Sequence, residues 1–317
     1  MEQLVIYLGF TITAYAVIAN DVIQTLGTFI ASNQKLKWWL LWSFAGLILS
    51  LTLVYGWQAN HGDVSYGRLG KIPLPEVMHW WYLLAPMALL VITRYGIPVS
   101  TTFMILSVFS TSQVIEKMIL KSVLGYALAF VSSILIYWFV SKWLESKASL
   151  RLMGIKKQKK YWLVAQWFST GFLWSQWLIQ DFANIYVYLP RALSMTELLF
   201  SLAVILFIMA YIFKSKGGKI QGIVTQKSNT ENIRSATIID FIYGILLYFL
   251  SNLSSIPMST TWTFIGILAG REIAINYLLN RKQLNHTYTL IFKDLAKVNI
   301  GLIISVLVAY GIQLLKS

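Results

Sequence analysis

Two aspartates stand deep inside apolar stretches of the sequence, where an acidic side chain needs a physical reason. Asp21 lies in TAYAVIANDVIQTLGTFIAS, and Asp181 lies in WSQWLIQDFANIYVYLP. An ionised carboxylate is costly to bury in a membrane interior, and such residues usually mark ion or proton pathways. For either residue alone, the alternative is a hydrogen bond between helices or a carboxyl group kept neutral by burial.

A proline followed by small hydroxyl residues occurs twice, as PVSTT at 98–102 and as PMSTT at 257–261. Proline is favoured in the first turn of a helix, and the free N–H groups of a helix N-terminus attract anions. Hydroxyl side chains add neutral donors, although in membrane helices they often bond to their own carbonyl groups instead. Two such helix ends facing each other would surround a tetrahedral oxyanion. The predicted anion-binding hydroxyl residues are Ser100, Thr101, Thr102, Ser259, Thr260 and Thr261.

The aspartates and the hydroxyl motifs recur in the same order about 160 residues apart, as expected for the internal repeats of secondary transporters. These matched positions favour a functional role for both acids. Arg94 stands shortly before Pro98 and has no basic counterpart in the second half. We include Arg94 among the anion-binding candidates, with extension of its side chain to a membrane interface as the alternative.

Two carboxylates close to an anion would repel it, so the sequence predicts a co-transported cation between them. Bound Na⁺ or H⁺ would screen the repulsion, and each ion would then favour binding of the other. Asp21 and Asp181 are the metal ligands if the cation is Na⁺. Neutral oxygen ligands are expected from Asn20, Gln24, Gln180 and Asn184. No other cofactor is expected, and the absence of cysteine excludes a thiolate metal site.

The composition indicates a membrane protein. Apolar residues make up 57% of the chain, charged residues make up 12%, and the mean hydropathy is +0.65, whereas a soluble domain usually carries about 25% charged residues. The 13 Trp and 17 Tyr are expected at the two membrane interfaces. The net charge of +14 does not point to nucleic acid, because the basic residues cluster in short loops between apolar runs.

The apolar runs predict an all-α integral membrane protein with two inverted-topology repeats, each containing a re-entrant helical hairpin. Two pairs of runs, 80–93 with 97–115 and 235–256 with 258–279, are separated only by a few residues around a proline. Such a turn within a membrane is tolerated where protein or a cavity surrounds it. We expect a first repeat at 1–144 with its hairpin at about 80–115, a basic cytoplasmic linker at 145–160, and a second repeat at 161–317 with its hairpin at about 235–279.

The distribution of basic residues predicts the orientation. With both termini outside, most Lys and Arg residues fall in loops on the cytoplasmic side, as the positive-inside rule requires. Two runs, 97–115 and 122–144, are expected to be separated by a break near Lys117 and Lys121. The lack of long soluble extensions favours a bacterial inner membrane as the location.

Four motifs in this order resemble those of the inorganic phosphate transporter (PiT) family. They read IANDVIQ at 18–24, IPVSTTF at 97–103, IQDFAN at 179–184 and PMSTTW at 257–262. The family carries a Gly-Ala-Asn-Asp-Val-Ala-Asn-like motif and a Pro-Val-Ser-Thr-Thr-His-like motif in each half, and the resemblance extends over most of this chain.

The resemblance implies inverted repeats with re-entrant hairpins, assembly as a homodimer, and phosphate transport driven by Na⁺ or H⁺. The family also includes sulfate carriers. Five positions depart from its pattern, since Phe103 and Trp262 replace histidine, Gln24 and Gln180 replace asparagine, and Ile18 replaces the first glycine. These changes affect residues expected to bind the ions, so the resemblance fixes neither the coupling ion nor the anion.

The sequence therefore predicts a symporter that imports a small inorganic oxyanion, foremost phosphate, together with a coupling cation across the lipid bilayer. A sulfate permease of the same kind is the nearest alternative. A degenerate carrier that serves as a membrane sensor or scaffold is a second alternative. A membrane-embedded enzyme is not expected, because diphosphate-binding enzymes need clustered aspartates for Mg²⁺, and each acid here stands alone.

Overall fold

The computed structural model describes residues 2–94, 99–144, 155–215, 233–278 and 284–316, and within these ranges the regular structure is entirely helical. In chain order the α-helices are α1 (Glu2–Val17), α2 (Ile23–Ser32), α3 (Trp38–Ala59), α4 (Leu84–Arg94), α5 (Ser107–Phe109), α6 (Ser112–Leu144), α7 (Ile155–Asp181), α8 (Ala183–Tyr186), α9 (Met195–Lys214), α10 (Ile233–Leu253), α11 (Thr260–Leu278) and α12 (Leu284–Lys316). A 3₁₀-helical turn precedes α4, and two π-helical turns, Ile18–Val22 and Thr102–Leu106, precede α2 and α5.

Six helical segments of the described chain are long and apolar enough to cross a bilayer, which needs about 20 apolar residues. They are Glu2–Val22, Trp38–Ala59, Ser112–Phe139, Met195–Lys214, Ala236–Leu253 and Ile291–Ile312. The all-α membrane class predicted from the sequence is confirmed, and the chain is a multi-pass membrane protein. The boundaries of the two repeats, the inverted orientation of one against the other and the linker at 145–160 stay predictions.

The break expected near Lys117 and Lys121 is wrong. Both lysines lie inside the single helix α6, which begins at Ser112, and the chain bends earlier, where Ser110 has extended backbone angles. Lysine is a good helix former, so a basic residue at the edge of an apolar run does not have to end a helix. The residues at 95–98, where the first hairpin was expected to turn, lie outside the described residues.

The terminal helix of each half packs against the proline motif region of the other half. Helix α6 lies along α11, and α12 contacts both the π-helical turn Thr102–Leu106 and α5. Within the second half, α7 packs along α10. This packing brings the two hydroxyl motifs, which belong to different halves of the sequence, toward each other.

Two glycines allow α6 and α11 to approach closely. A Cβ atom on Gly266 would lie 2.6 Å from the carbonyl oxygen of Tyr126, and one on Gly270 would overlap the carbonyl oxygen of Phe130. Small residues at such positions let membrane helices pack backbone to backbone. The position of the second hydroxyl motif, at the start of α11, is therefore fixed against α6.

Hydrogen bonds from tryptophan side chains join α3 to its neighbours. The indole N–H groups of Trp42 and Trp57 donate to carbonyl oxygens near α9, those of Leu206 at 3.0 Å and Leu193 at 2.7 Å, and that of Trp174 in α7 donates to Ala45 at 2.9 Å. Trp174 is fully buried. The expectation that the aromatic residues lie at the membrane interfaces is thus wrong for this residue, because its N–H group finds a partner within the protein core.

Candidate functional site

Asp21 lies in the π-helical turn between α1 and α2. Such a wide turn inside a helix is frequent at functional sites. Asn20 donates from Nδ2 to the Asp21 carboxylate at 2.9 Å and to the carbonyl oxygen of Val99 at 2.9 Å. Asn20 and Asp21 are both buried, so the turn is tied directly to the segment that enters the first hydroxyl motif.

Asp181 is the last residue of α7, and the chain turns at Phe182 before the short helix α8. Its Oδ1 accepts hydrogen bonds from Thr102 Oγ1 at 3.2 Å and from Asn184 Nδ2 at 3.5 Å. Its Oδ2 accepts from the hydroxyl of Thr260. The break in the helix places Asp181 and Asn184 on the same buried site, to which both hydroxyl motifs contribute.

The two halves make matching contacts. The Thr101 hydroxyl donates to Asp21, as the Thr260 hydroxyl donates to Asp181. Ser100 Oγ accepts from the backbone N–H of residue 103 at 3.3 Å, and Ser259 Oγ accepts from that of residue 262 at 3.4 Å. The serines therefore cap the helix starts, and the threonines face the carboxylates.

Asn184 and Thr102 connect the two acidic centres. Asn184 Nδ2 lies 3.0 Å from Thr101 Oγ1 and 3.2 Å from Thr102 Oγ1. The Met258 carbonyl oxygen, 3.1 Å from Thr102 Oγ1, is an alternative acceptor for the one Thr102 hydroxyl proton. A continuous chain of hydrogen bonds thus runs from Asp21 through Thr101, Asn184 and Thr102 to Asp181. All of these residues are buried.

The structure brings most of the residues predicted from the sequence into this network. The members are Asn20, Asp21, Thr101, Thr102, Asp181, Asn184 and Thr260. Thr261 is buried next to Thr260 in the first turn of α11. The side chains of Gln24 and Arg94, and Pro98 as a whole, lie outside what the structure describes. The ion-binding roles of all these residues stay predictions.

Two buried amides next to the carboxylates lack partners for some of their polar atoms. Among the described residues, no hydrogen bond reaches either polar atom of the Gln180 side chain or Oδ1 of Asn184. Leaving such a group buried and unpaired costs about 1–3 kcal/mol, so a native example calls for an explanation such as an ion. The two free amide oxygens are suitable ligands for a hard cation, which prefers oxygen.

The hydroxyl protons are already used by the carboxylates. A threonine hydroxyl has one proton to donate and two lone pairs, and those of Thr101, Thr102 and Thr260 point to carboxylate or carbonyl oxygens. The sequence predicts that the hydroxyls donate to an anion separately from the acids. In the structure the two groups form one network, so an anion competes with the carboxylates for the same protons.

Tyr243 and Asp240 on α10 approach this region, and the sequence analysis did not assign either to it. The Tyr243 hydroxyl donates to the carbonyl oxygen of Thr260 at 3.0 Å. Asp240 is buried and accepts hydrogen bonds from Thr28 at 2.6 Å and from Thr170 at 2.5 Å. Asp240 therefore joins α2, α7 and α10. Its position as an acidic residue within an apolar helix is the sequence feature that could have identified Asp240.

Two basic side chains reach the loop at 254–259, which joins α10 to α11. Arg68 donates from Nε to the carbonyl oxygen of Ile179 at 2.7 Å and from Nη1 to that of Ser254 at 3.5 Å. Lys121 Nζ lies 2.7 Å from the carbonyl oxygens of both Ser254 and Ile256. Neither residue gave a signal in the sequence, because Arg68 stands in a connecting segment and Lys121 stands at the edge of an apolar run.

Burial lowers the pKa of the Arg68 guanidinium to about 10, and the nearby Asp181 carboxylate acts in the opposite direction. The guanidinium therefore stays positively charged at neutral pH. Arg68 lies in the segment between α3 and α4, yet its side chain is only 3% exposed. A charge that belongs to a connecting segment thus stands inside the protein, close to the acidic network.

These features define a class of protein: a multi-pass helical membrane protein with a buried acidic and hydroxyl-rich site between the two halves of its chain. No protein-family model and no curated protein sequence matches the chain. A solved structure described as "The sodium-dependent phosphate transporter" has the same fold, with a TM-score of 0.63 over 98% of this chain and 98% of that chain. The sequence identity is 17%. The all-helical membrane fold implied by the resemblance to the PiT family is therefore confirmed, and the inverted orientation of its two halves stays a prediction.

Proposed function

We propose that this chain is a secondary transporter that imports inorganic phosphate together with a cation, Na⁺ or H⁺, by alternating access. The observation that carries the proposal is the single buried network formed by two aspartates and two hydroxyl motifs from opposite halves of the chain. The similarity in fold to a protein described as a sodium-dependent phosphate transporter supports it.

The cation would bind between the two carboxylates. Asp21 and Asp181 supply negative charge, and the free oxygens of Gln180 and Asn184 add neutral ligands. Broken helices offer further carbonyl oxygens for Na⁺ in transporters of this kind, and the Val99 carbonyl lies within reach of the Asn20 amide. An all-oxygen set of this type fits Na⁺, and a buried carboxylate equally fits a bound proton.

Coupling would follow from the hydroxyl protons. When a cation occupies the carboxylate lone pairs, Thr101 and Thr260 no longer need to donate to Asp21 and Asp181 and can turn their protons toward an anion. Their oxygen lone pairs then face the cation, so one hydroxyl serves both ions. Each ion favours binding of the other, which is the reciprocal coupling that a symporter needs.

Phosphate fits the site better than sulfate does. At neutral pH phosphate carries at least one hydroxyl group, which can donate to a carboxylate oxygen, whereas sulfate is an acceptor only. A site that presents Asp21 and Asp181 beside the threonines satisfies both kinds of group on phosphate. Transport of sulfate in place of phosphate is therefore an outcome that the proposal excludes.

Uptake into proteoliposomes tests the function. Radiolabelled phosphate and sulfate are offered with a Na⁺ gradient, with a pH gradient or with neither. We expect phosphate to accumulate under one of the gradients, and the Asp21→Asn variant to lose about 100-fold in rate, because removing a charged ligand costs about 1.5–3 kcal/mol. Glu116→Gln, an exposed acid on α6, is the matched control.

Each other result has a defined meaning. Accumulation of sulfate alone would show a sulfate permease. Accumulation of neither anion, with Asp21→Asn behaving as the wild type in a binding or signalling role, would show a scaffold or sensor. If phosphate only equilibrates across the membrane and accumulates under neither gradient, the protein is a uniporter and the proposed coupling to a cation is wrong.

A further inference from the structure

The loop that joins α10 to α11 is held by basic side chains from two distant parts of the sequence. Ser254 O accepts from both Arg68 and Lys121, and Ile256 O accepts from Lys121 alone. The same loop continues directly into Ser259 and Thr260. Whatever moves Arg68 or Lys121 therefore acts on the backbone that positions the hydroxyl donor of Asp181.

The positive charges of Arg68 and Lys121 have no complete counter-charge among the described residues. Within the described ranges, neither Arg68 nor Lys121 forms an ion pair with a carboxylate, and both spend their donors on carbonyl oxygens. The two basic groups also repel each other. Asp181 attracts Arg68, but its oxygens already accept from Thr102, Asn184 and Thr260. Buried cations are usually paired with an anion, so this place lacks its expected counter-charge.

The geometry suits a tetrahedral oxyanion. A guanidinium and an ammonium group that share the acceptor Ser254 O lie close enough for one anion to bridge them. An oxyanion adds the attraction between opposite charges to a hydrogen bond that a neutral carbonyl oxygen also accepts, so an anion outcompetes a carbonyl oxygen for the same charged donor. Without an anion, the donors of Arg68 and Lys121 bond to the carbonyl oxygens of Ser254 and Ile256 instead.

We propose that Arg68 and Lys121 form a receiving site, distinct from the hydroxyl network, where the transported oxyanion first binds by replacing the carbonyl oxygens of Ser254 and Ile256. This inference rests on the proposed function. Binding there frees the loop at 254–259, so arrival of the anion loosens the part of the protein that holds Thr260 against Asp181. The receiving site thereby links recognition of the anion to opening of the buried network.

A purely structural role is the rival explanation. Basic side chains near a helix C-terminus often bond to the last carbonyl groups, and Arg68 and Lys121 stand just beyond the end of α10. Such a clamp affects stability and the rate of conformational change. It gives no reason for the affinity for anions to depend on the charge at position 121.

The test compares Lys121→Gln with Lys117→Gln, which removes an exposed lysine one turn earlier on α6. Equilibrium binding of radiolabelled phosphate to the purified full-length protein is measured with Na⁺ at low and high ionic strength, alongside KM and kcat for uptake. Loss of one charged hydrogen bond predicts about a tenfold weaker Kd for Lys121→Gln. Lys121→Arg, which keeps the charge, should restore binding, and Lys117→Gln should match the wild type.

The expected pattern is a raised KM with little change in kcat, and a weaker dependence of binding on salt. Lys121→Gln could instead lower the thermal unfolding temperature and kcat but leave Kd and KM as in Lys117→Gln. Arg68 and Lys121 would then only hold the loop in place, and the proposed receiving site would be wrong. A wild-type protein that transports phosphate while Lys121→Gln behaves normally overturns this inference alone. A wild type that binds neither phosphate nor sulfate overturns the proposed function as well.

Discussion

At the scale of single residues, each threonine hydroxyl of the site has only one proton to donate, and this limits the hydrogen bonds that the site can form. Thr101 and Thr260 each donate to one aspartate, and Asn184 links the two centres through Thr101 and Thr102. No hydroxyl of this chain of contacts donates to a carboxylate and to an anion at once. Competition for these protons is the physical basis that we propose for coupling between the two ions.

Gln180 provides a residue-scale prediction. Replacing Gln180 by Met removes a buried amide whose two polar atoms have no partner among the described residues and keeps a similar volume. We expect the ligand-free protein to gain about 1–3 kcal/mol in stability, which raises Tm by about 2–4 °C per kcal/mol. The concentration of coupling cation that half-saturates uptake should rise about tenfold, the effect of about 1.4 kcal/mol.

Gln176→Met is the control for this change, because Gln176 lies one turn earlier on α7, is partly exposed and donates to Ser175. Thermal unfolding in detergent and the cation dependence of uptake are the two measurements. A fall in Tm would mean that the amide is satisfied in the resting protein. An unchanged cation dependence would remove Gln180 from the proposed cation site.

The sequence was sufficient to find the acids and the threonines, because a charge or a repeated hydroxyl motif in an apolar run is visible locally. It could not separate the roles within each motif. Ser100 and Ser259 cap helices through the N–H groups of residues 103 and 262, and this depends on where each helix starts. Arg68 was missed because its position in a connecting segment gives no sign that its side chain is buried.

At the scale of secondary structure elements, close contacts fix the hydroxyl motifs in place. Asp240 joins α10 to α2 and α7 through Thr28 and Thr170, so the helix before the second motif is tied to both halves. The helix after that motif, α11, is held against α6 by Gly266 and Gly270. The loop at 254–259 thus lies between two anchored helices.

Gly266→Ala tests the approach of α6 to α11. The new methyl group would stand 2.6 Å from the carbonyl oxygen of Tyr126, and since that oxygen belongs to the backbone, a whole helix has to shift. Overpacking of this kind typically costs about 1–3 kcal/mol. We expect a lower Tm in detergent and a lower rate of uptake, because the displaced α11 carries Thr260.

Gly311→Ala is the matched control in α12, where a Cβ atom meets nothing within 4 Å. Alanine is favoured over glycine inside a helix by about 1 kcal/mol, so this variant should be as stable as the wild type or more so. Equal stability of the two variants would show that α6 and α11 are free to separate at Gly266.

At the scale of the whole molecule, the remaining predictions concern orientation and assembly. Helix α3 has 22 residues, which corresponds to about 33 Å at 1.5 Å per residue and is enough to cross the hydrocarbon core. We therefore expect the segments before and after it, which hold Lys35 and Lys71, to lie on opposite sides of the membrane. Termini on the outside, a bacterial inner membrane and a homodimer stay predictions.

Single cysteines test the orientation directly, because the chain contains no cysteine of its own. Lys35→Cys and Lys71→Cys each introduce a thiol at an exposed position. The positive-inside rule predicts that a membrane-impermeant thiol reagent labels Lys71→Cys on intact cells, and labels Lys35→Cys only after the membrane is opened. The reverse pattern would invert the orientation, and the receiving site of Arg68 and Lys121 would then face the cytoplasm.

The sequence by itself determined the membrane class, the two acids and the two hydroxyl motifs. A charged residue within an apolar run and the recurrence of a motif are both visible in the linear chain. Only the tertiary structure decided which proton goes to which oxygen. Asn184 meets Thr101, and Lys121 meets Ser254, across long stretches of sequence that no local pattern connects. Such contacts arise from helix packing and close approach of backbones, which the order of residues constrains but does not display.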